Sequence, residues 1–406
     1  MFTSVARPSR LRSYYGTEVS GDHFWPRPEI VDPLVASLKS GQSHTLFGLR
    51  RIGKSSVMLE VERRLTAEGV VVSRVKVEGD SGLEGLFGQL LRNLPAPDLK
   101  SKLLRGIETA KGMAEPVLAT ARSWLETVGV QVPEKDLNAY WPVLSRALCQ
   151  GFEAHRQPIV LIIDELPFLI QNTIEKAPDS RGAAAARNIL SALRDWRTVP
   201  HVAILVAGSI GLRGLALRHK LDPGAFNDMM AETIPPLALD EARLMLCALV
   251  AGHTPSLSGW NEACTDALLK GVPDYHAGLL QLAFLTAALR GAATPAAIED
   301  ALLNHFEPKL TDQFFSQFDH RLQREVEPMR AHLVRAIDAV VDAREAGHGI
   351  DALHDLLTKA KCEYPDEVAR LLQEEGFLTF DRRSRTLRPA SRLVSAWRDA
   401  TPRARR

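Results

Sequence analysis

The stretch that decides the fold is LFGLRRIGKSSVMLEV, Leu46–Val61. Gly48 is followed after four residues by Gly53-Lys54-Ser55, the spacing of a phosphate-binding loop. The flanks supply the context the motif needs. The apolar run SHTLFG before it reads as a short buried strand. KSSVMLEVERRLTAEG after it carries Val57, Leu59, Val61 and Leu65 and stops at Gly69, a helix closed by glycine. Glycines let the backbone wrap closely around phosphates with N–H groups pointing inward. Lys54 would reach the β- and γ-phosphates, and the Ser55 hydroxyl would ligate magnesium. The loop running through Gly48, Leu49, Arg50, Arg51, Ile52, Gly53, Lys54, Ser55 and Ser56 is therefore the expected cofactor cradle. The adjacent Arg50 and Arg51 exceed what the bare motif requires.

Working outward, VVVSRVKVEGD reads as a second strand. Residues from about 83 to 156 read as helical, with an amphipathic insert at about 97–140 broken by Pro116. PIVLIIDELPFLI holds five consecutive apolar residues, Ile159 to Ile163, ending in Asp164-Glu165. Continuous apolarity indicates a strand covered on both faces, as in a parallel sheet. A helix is expected around Ala183–Arg197, then a buried strand in HVAILVAGSIG ending at Gly208-Ser209. ETIPPLALDEARLMLCALV predicts a short fifth strand and a helix capped by Asp240. Strands alternating with helices give an α/β, doubly wound sheet. Asp164 would hold magnesium directly or through water. Glu165 would polarise the attacking water, and Ser209 would contact the γ-phosphate or that water.

After about residue 236 the pattern turns helical. LLKGVPDYHAGLLQLAFLTAAL reads helix, turn, helix, and Phe314, Phe315 and Phe318 form a packing stripe. From Leu353 to Trp397 two helices precede GFLTFDRRSRTLRPA, two short strands around a basic turn, the pattern of a winged helix. The expected domains are 1–236, 237–320 and 321–406.

Bulk properties exclude little but do exclude something. Net charge is +1 over 406 residues, with 45% hydrophobic and 24% charged residues, so no global charge points to nucleic acid or membrane. Charge is local instead: nine arginines lie between Asp381 and Arg406 against two acids. The four cysteines have neither metal-ligand nor disulfide spacing, which fits a reducing cytoplasm. The start lacks the apolar core of a secretory signal, and no run reaches the roughly 18–20 apolar residues that span a bilayer. The twelve histidines show no metal spacing.

FGLRRIGKSSVMLEV, IVLIIDELPFLI and ILVAGSIGL together resemble the archaeal-type ATPases, P-loop proteins of the additional-strand class between AAA+ and STAND signalling ATPases. FWPRPEIVDPL resembles the box that precedes their sheet, through Phe24, Arg27 and Glu29. GVPDYHAGLLQLA resembles their lid helices, and the C-terminal end their winged helix. The double arginine and Pro167 are the family-like details. The resemblance implies a P-loop NTPase sheet of order 5-1-4-3-2, a helical lid, a winged-helix domain, and ATP with Mg2+ between sheet and lid. It assigns a sensor role to Ser209 and brings Tyr275 or His276 toward the nucleotide. One departure stands out. DPGAFNDMMAETIPP lacks the glycine-arginine pair such proteins often carry before the fifth strand, which argues against fast hydrolysis; Arg213 and Arg218 are the nearby substitutes.

Two functional expectations follow. The first is an ATP-driven molecular switch that hydrolyses slowly and signals through a partner protein or self-association. The second is a DNA-stimulated ATPase that contacts duplex through residues 381–406. Against the second, the candidate recognition helix Asp366–Glu375, in PDEVARLLQEEG, carries four acids and one arginine.

Overall fold

The computed structural model describes residues 7–77, 82–108, 115–126, 134–177, 180–208, 212–325 and 327–401. They form two compact units: Arg27–Phe47 with Lys54–Thr233, and Met1–Pro26 with Gly48–Gly53 and Ile234–Arg406.

The first unit is a sheet with helices. In chain order it holds α1 (Pro28–Lys39), β1 (His44–Phe47), α2 (Lys54–Ala67), β2 (Val71–Lys76), α3 (Gly82–Arg92), α4 (Pro97–Glu108), α5 (Glu115–Glu126) and α6 (Glu134–His155). There follow β3 (Ile159–Asp164), α7 (Leu166–Lys176), α8 (Ser180–Arg197), β4 (Val202–Ala207), α9 (Leu212–Arg218) and β5 (Met230–Thr233). The strands are parallel in the order β2-β3-β4-β1-β5, which is the expected 5-1-4-3-2 read from the other edge. Every residue of β3 and β4 is buried, as their unbroken apolar runs require.

The helices between β2 and β4 share one apolar core with the sheet. Within it Phe87 of α3, Trp141 of α6 and Trp196 of α8 meet, the two tryptophan ring centroids 4.3 and 5.0 Å from that of Phe87. Pro116 sits in the first turn of α5, where its missing N–H costs nothing. The fifth strand begins at Met230, so Ile234-Pro235-Pro236 lies beyond it.

The second unit is helical with a small sheet. It contains α10 (Leu239–Gly252), α11 (Glu262–Gly271), α12 (Ala277–Ala288), α13 (Pro295–Ala301), α14 (Glu307–Leu310) and α15 (Ser316–Gln323). The last three are joined by π-helical turns, Leu302–Phe306 and Thr311–Phe315. Then come α16 (Met329–Asp342), β6 (His348–Gly349), α17 (Ile350–Lys359), α18 (Pro365–Glu374), β7 (Leu378–Asp381), β8 (Thr386–Pro389) and α19 (Arg392–Ala400). The small sheet is antiparallel, ordered β6-β8-β7.

Asp240 does not cap α10. The cap position is Ala238, without a side-chain hydrogen bond, and Asp240 lies inside the first turn, where its charge favours the helix N-terminus. The N-terminal residues join this unit as a strap. The Leu11 N–H donates to Ala248 at 2.8 Å, the Tyr14 N–H donates to Gln281 at 2.9 Å, and the Trp25 indole donates to Glu241 at 3.2 Å. Among the described residues no helix is long and apolar enough to cross a membrane.

Candidate functional site

Asp164 ends β3 on the carboxyl side of the sheet. Ile163 pairs with Val206 and Leu46 with Ala207, so Asp164, Ala207 and Leu46 share one level on adjacent strands. Ligands of parallel α/β sheets bind beyond such carboxyl ends, where the chain connections diverge. Lys54, Ser55 and Ser56 open α2, directly after β1 and its loop, and Lys54 is buried. Buried Glu60 orients that helix. It accepts from Arg63 at 2.8 Å and from Arg64 at 2.9 Å, and Arg64 donates on to Asp32 of α1 at 2.6 Å.

Asp164 is 3% exposed, and its Oδ1 has no hydrogen-bond partner among the described residues. A buried carboxylate oxygen left unpaired is costly, about 1–3 kcal/mol or more. A cation would remove that cost. One carboxylate with the Ser55 hydroxyl suits magnesium, which keeps several waters and takes phosphate oxygens rather than a full protein cage. Among the described residues no cluster of three or more His, Cys, Asp or Glu could hold a metal ion.

Glu165 directly follows. It caps α7 in the left-handed region, φ 63° and ψ 36°, and its carbonyl accepts the Phe168 N–H at 3.0 Å. A non-glycine residue there costs on the order of 1–3 kcal/mol, and such strain concentrates at functional turns. Ser209 lies outside the described residues, as does the side chain of Arg213.

The loop itself holds three positive-φ residues, Gly48 (154°), Arg51 (64°) and Gly53 (112°). Its double arginine is not simply solvated. The Arg51 guanidinium lies 4.7 Å from the Tyr15 ring centroid and 5.6 Å from that of Phe314, and donates to Gln313 Oε1 at 2.6 Å. Burial lowers the Arg51 pKa from its ordinary value. The Arg50 N–H donates to Gln317 Oε1 at 3.1 Å, while the Arg50 side chain is exposed. Leu49 is buried in the apolar core of this unit. His276 caps α12 and is fully buried, its Nε2 3.8 Å from Asp274. Two residues on, the Gly278 N–H donates to the Arg51 carbonyl at 3.2 Å.

Sequence reasoning finds Lys54, Ser55, Asp164 and Glu165, and the structure gathers all four into one unit. It misses Tyr15, Gln313 and Gln317 as partners of the loop. These lie up to 267 residues away, and single glutamines in a helix carry no periodic signal.

The basic C-terminal segment divides in two. Arg382, Arg383, Arg385 and Arg388 are exposed at the β7–β8 hairpin. Arg398 is buried and bonded to Asp338, and Arg392 lies 4.6 Å over the Tyr275 ring. Leu393, Val394 and Trp397 of α19 belong to the apolar core.

No family model and no curated protein matches the chain. Among solved structures it is similar to a Walker-type ATPase of Pyrococcus abyssi, with 14% identity, 98% of this chain and 100% of that chain covered, and a TM-score of 0.52. The Aeropyrum pernix ORC2 protein, solved as ADPNP–ADP complexes, has 14% identity over 98% of this chain and 95% of that one, with a TM-score of 0.49. The fold is that of a P-loop NTPase, with the phosphate-loop sequence between β1 and the following helix α2.

Proposed function

We propose that the chain binds ATP with magnesium and hydrolyses it slowly, as a molecular switch of the AAA+/STAND kind. The observation that carries this is the buried Asp164 Oδ1, without a hydrogen-bond partner among the described residues, at the sheet's carboxyl end in the unit where Lys54 and Ser55 open the helix after the loop. The similar Pyrococcus abyssi protein is described as a Walker-type ATPase, which supports the general class.

In this reading the loop amides and Lys54 hold the phosphates, Ser55 and Asp164 hold magnesium, and Glu165 orients water. Ser209 is the sensor. Magnesium would supply charge neutralisation on the phosphates. His276 contributes to nucleotide binding from a lid at 237–320, and residues 321–406 form a winged helix that engages a partner protein or a second copy. In this reading hydrolysis is slow because DPGAFNDMMAETIPP lacks the glycine-arginine pair just before the fifth strand, and such an arginine is worth about 10³–10⁵ in rate where it operates.

A second reading, a DNA-stimulated ATPase, draws on exposed Arg382, Arg383, Arg385 and Arg388. Phosphate release measured with and without duplex DNA separates the two. The switch reading expects slow release that DNA leaves unchanged. Stimulation by DNA favours the second reading, and no release in either arm overturns the hydrolysis.

A further inference from the structure

Gln313 and Gln317 stand one turn apart on the helix that runs through the Thr311–Phe315 π-turn into α15, and both hold the phosphate loop. Gln317 Oε1 accepts the Arg50 N–H at 3.1 Å. Gln313 Oε1 accepts from Arg51 Nη1 at 2.6 Å and also from the Tyr15 hydroxyl. Phe314 between them faces the Arg51 guanidinium. The Arg50–Arg51 step is thus fixed from this helix on one side and by the Gly278 N–H on the other.

The same helix grips the C-terminal elements one turn later. Asp319 accepts the Trp397 indole N–H at 3.2 Å, and Arg321 donates to the Glu375 carbonyl at the end of α18. Phe318 packs against Phe377 and Trp397, with ring centroids 5.4 and 5.1 Å away. Gly376, after α18, lies close to the loop: a Cβ built on it would stand 3.5 Å from Leu49 Cδ2.

Gln317 is 7% exposed, and its Nε2 has no hydrogen-bond partner among the described residues. An apolar side chain would fill the same space without that unpaired donor. The hydrogen bond to Arg50 is therefore what the glutamine adds. π-Turns are frequent at functional sites, and this one carries Phe314, which faces the Arg51 guanidinium.

We propose that Gln313 and Gln317 are positioning residues for the phosphate loop, and that residues 311–323 carry its nucleotide state to the α18–β7–β8 hairpin and α19. This rests on the reading of the loop as a nucleotide site. Phosphates draw loop N–H groups toward themselves. Any rotation of the Arg50–Arg51 peptide then pulls on Gln317, and through α15 on Glu375 and Trp397.

The test is hydrogen exchange on the full chain, with and without ADP–magnesium, alongside calorimetric binding of the same nucleotide. In the wild type, ADP should change exchange at 44–60 and also at 311–323 and 365–389. Gln317→Met should bind ADP within about tenfold of wild type while the change at 365–389 disappears. Gln313→Met, at a half-buried position, serves as the second variant and should reduce the remote change at least twofold. Wild-type binding without a remote change overturns the coupling alone, as does an undiminished change in the variants. Absence of binding by the wild type overturns the nucleotide reading and the coupling with it.

Discussion

The Gly278 N–H donates to the Arg51 carbonyl at 3.2 Å, and a Cβ on Gly278 would stand 2.6 Å from that same oxygen. The approach of the α12 N-terminus to the loop backbone therefore requires glycine. Gly278→Ala sets a helix-propensity gain of about 1 kcal/mol against a clash with main chain that has no free end to move. The clash should win. The expected outcome is a net loss of about 1–3 kcal/mol in thermal or urea unfolding, with weaker ADP binding. Unchanged stability and affinity would show that the approach can relax.

Asp164 and Glu165 are adjacent but should fail differently. Asp164→Asn removes the carboxylate charge expected to hold magnesium, so ATP affinity should lose its dependence on added magnesium. Glu165→Gln should leave binding intact and slow phosphate release by about 10²–10⁴-fold, the range for removing a general base. Titrations with and without magnesium, paired with release assays, check both. Identical behaviour of the two variants would contradict the division of roles.

The exposed hairpin arginines discriminate between the two functional readings. Truncation at Asp381 is a poor test, because it removes core residues Leu393, Val394 and Trp397. The triple change Arg382→Ala, Arg383→Ala and Arg385→Ala touches only exposed side chains. For a switch without DNA, ATP turnover and unfolding should match the wild type. If duplex is bound there, the slope of log affinity against log salt should fall by about 0.9 for each phosphate no longer neutralised by an arginine.

Burial lowers the pKa values of His44, His155 and His219 below the ordinary histidine value. Each is more easily protonated in the unfolded chain than in the folded one. Their contribution to stability is thus present above about pH 6.5 and is lost as pH falls below it. Carboxylates titrate lower, so the window from about pH 6.5 to 5 reports these histidines. The midpoint of thermal unfolding should be higher at pH 7.5 than at pH 5.5. A flat or inverted profile would contradict the assignment.

The sheet is legible in the sequence because its signals are local. Five apolar residues ending at Asp164, and a glycine loop between an apolar run and a periodic helix, each announce themselves within about fifteen residues. The surroundings of the loop are not legible in the same way. Tyr15 lies in an N-terminal strap without regular structure, and Gln313 and Gln317 sit beside a phenylalanine stripe that explains itself as core. The sequence misplaces the cap of α10 because aspartate favours both the cap and the first turn, and only geometry separates them. Arg50 and Arg51 show in the sequence as an excess over the motif. Their physical role, as the handle by which distant helices grip the loop, depends on hydrogen bonds spanning more than 200 residues.

Whether Leu46–Val61 is a nucleotide site decides everything else proposed for this chain, and calorimetric titration of ATP–magnesium into wild type and Lys54→Ala settles it. The expected result is saturable one-to-one binding by the wild type and no measurable heat of binding for Lys54→Ala, with both proteins folded by circular dichroism. Equal binding by the two proteins, or none by the wild type at millimolar nucleotide, would contradict the assignment.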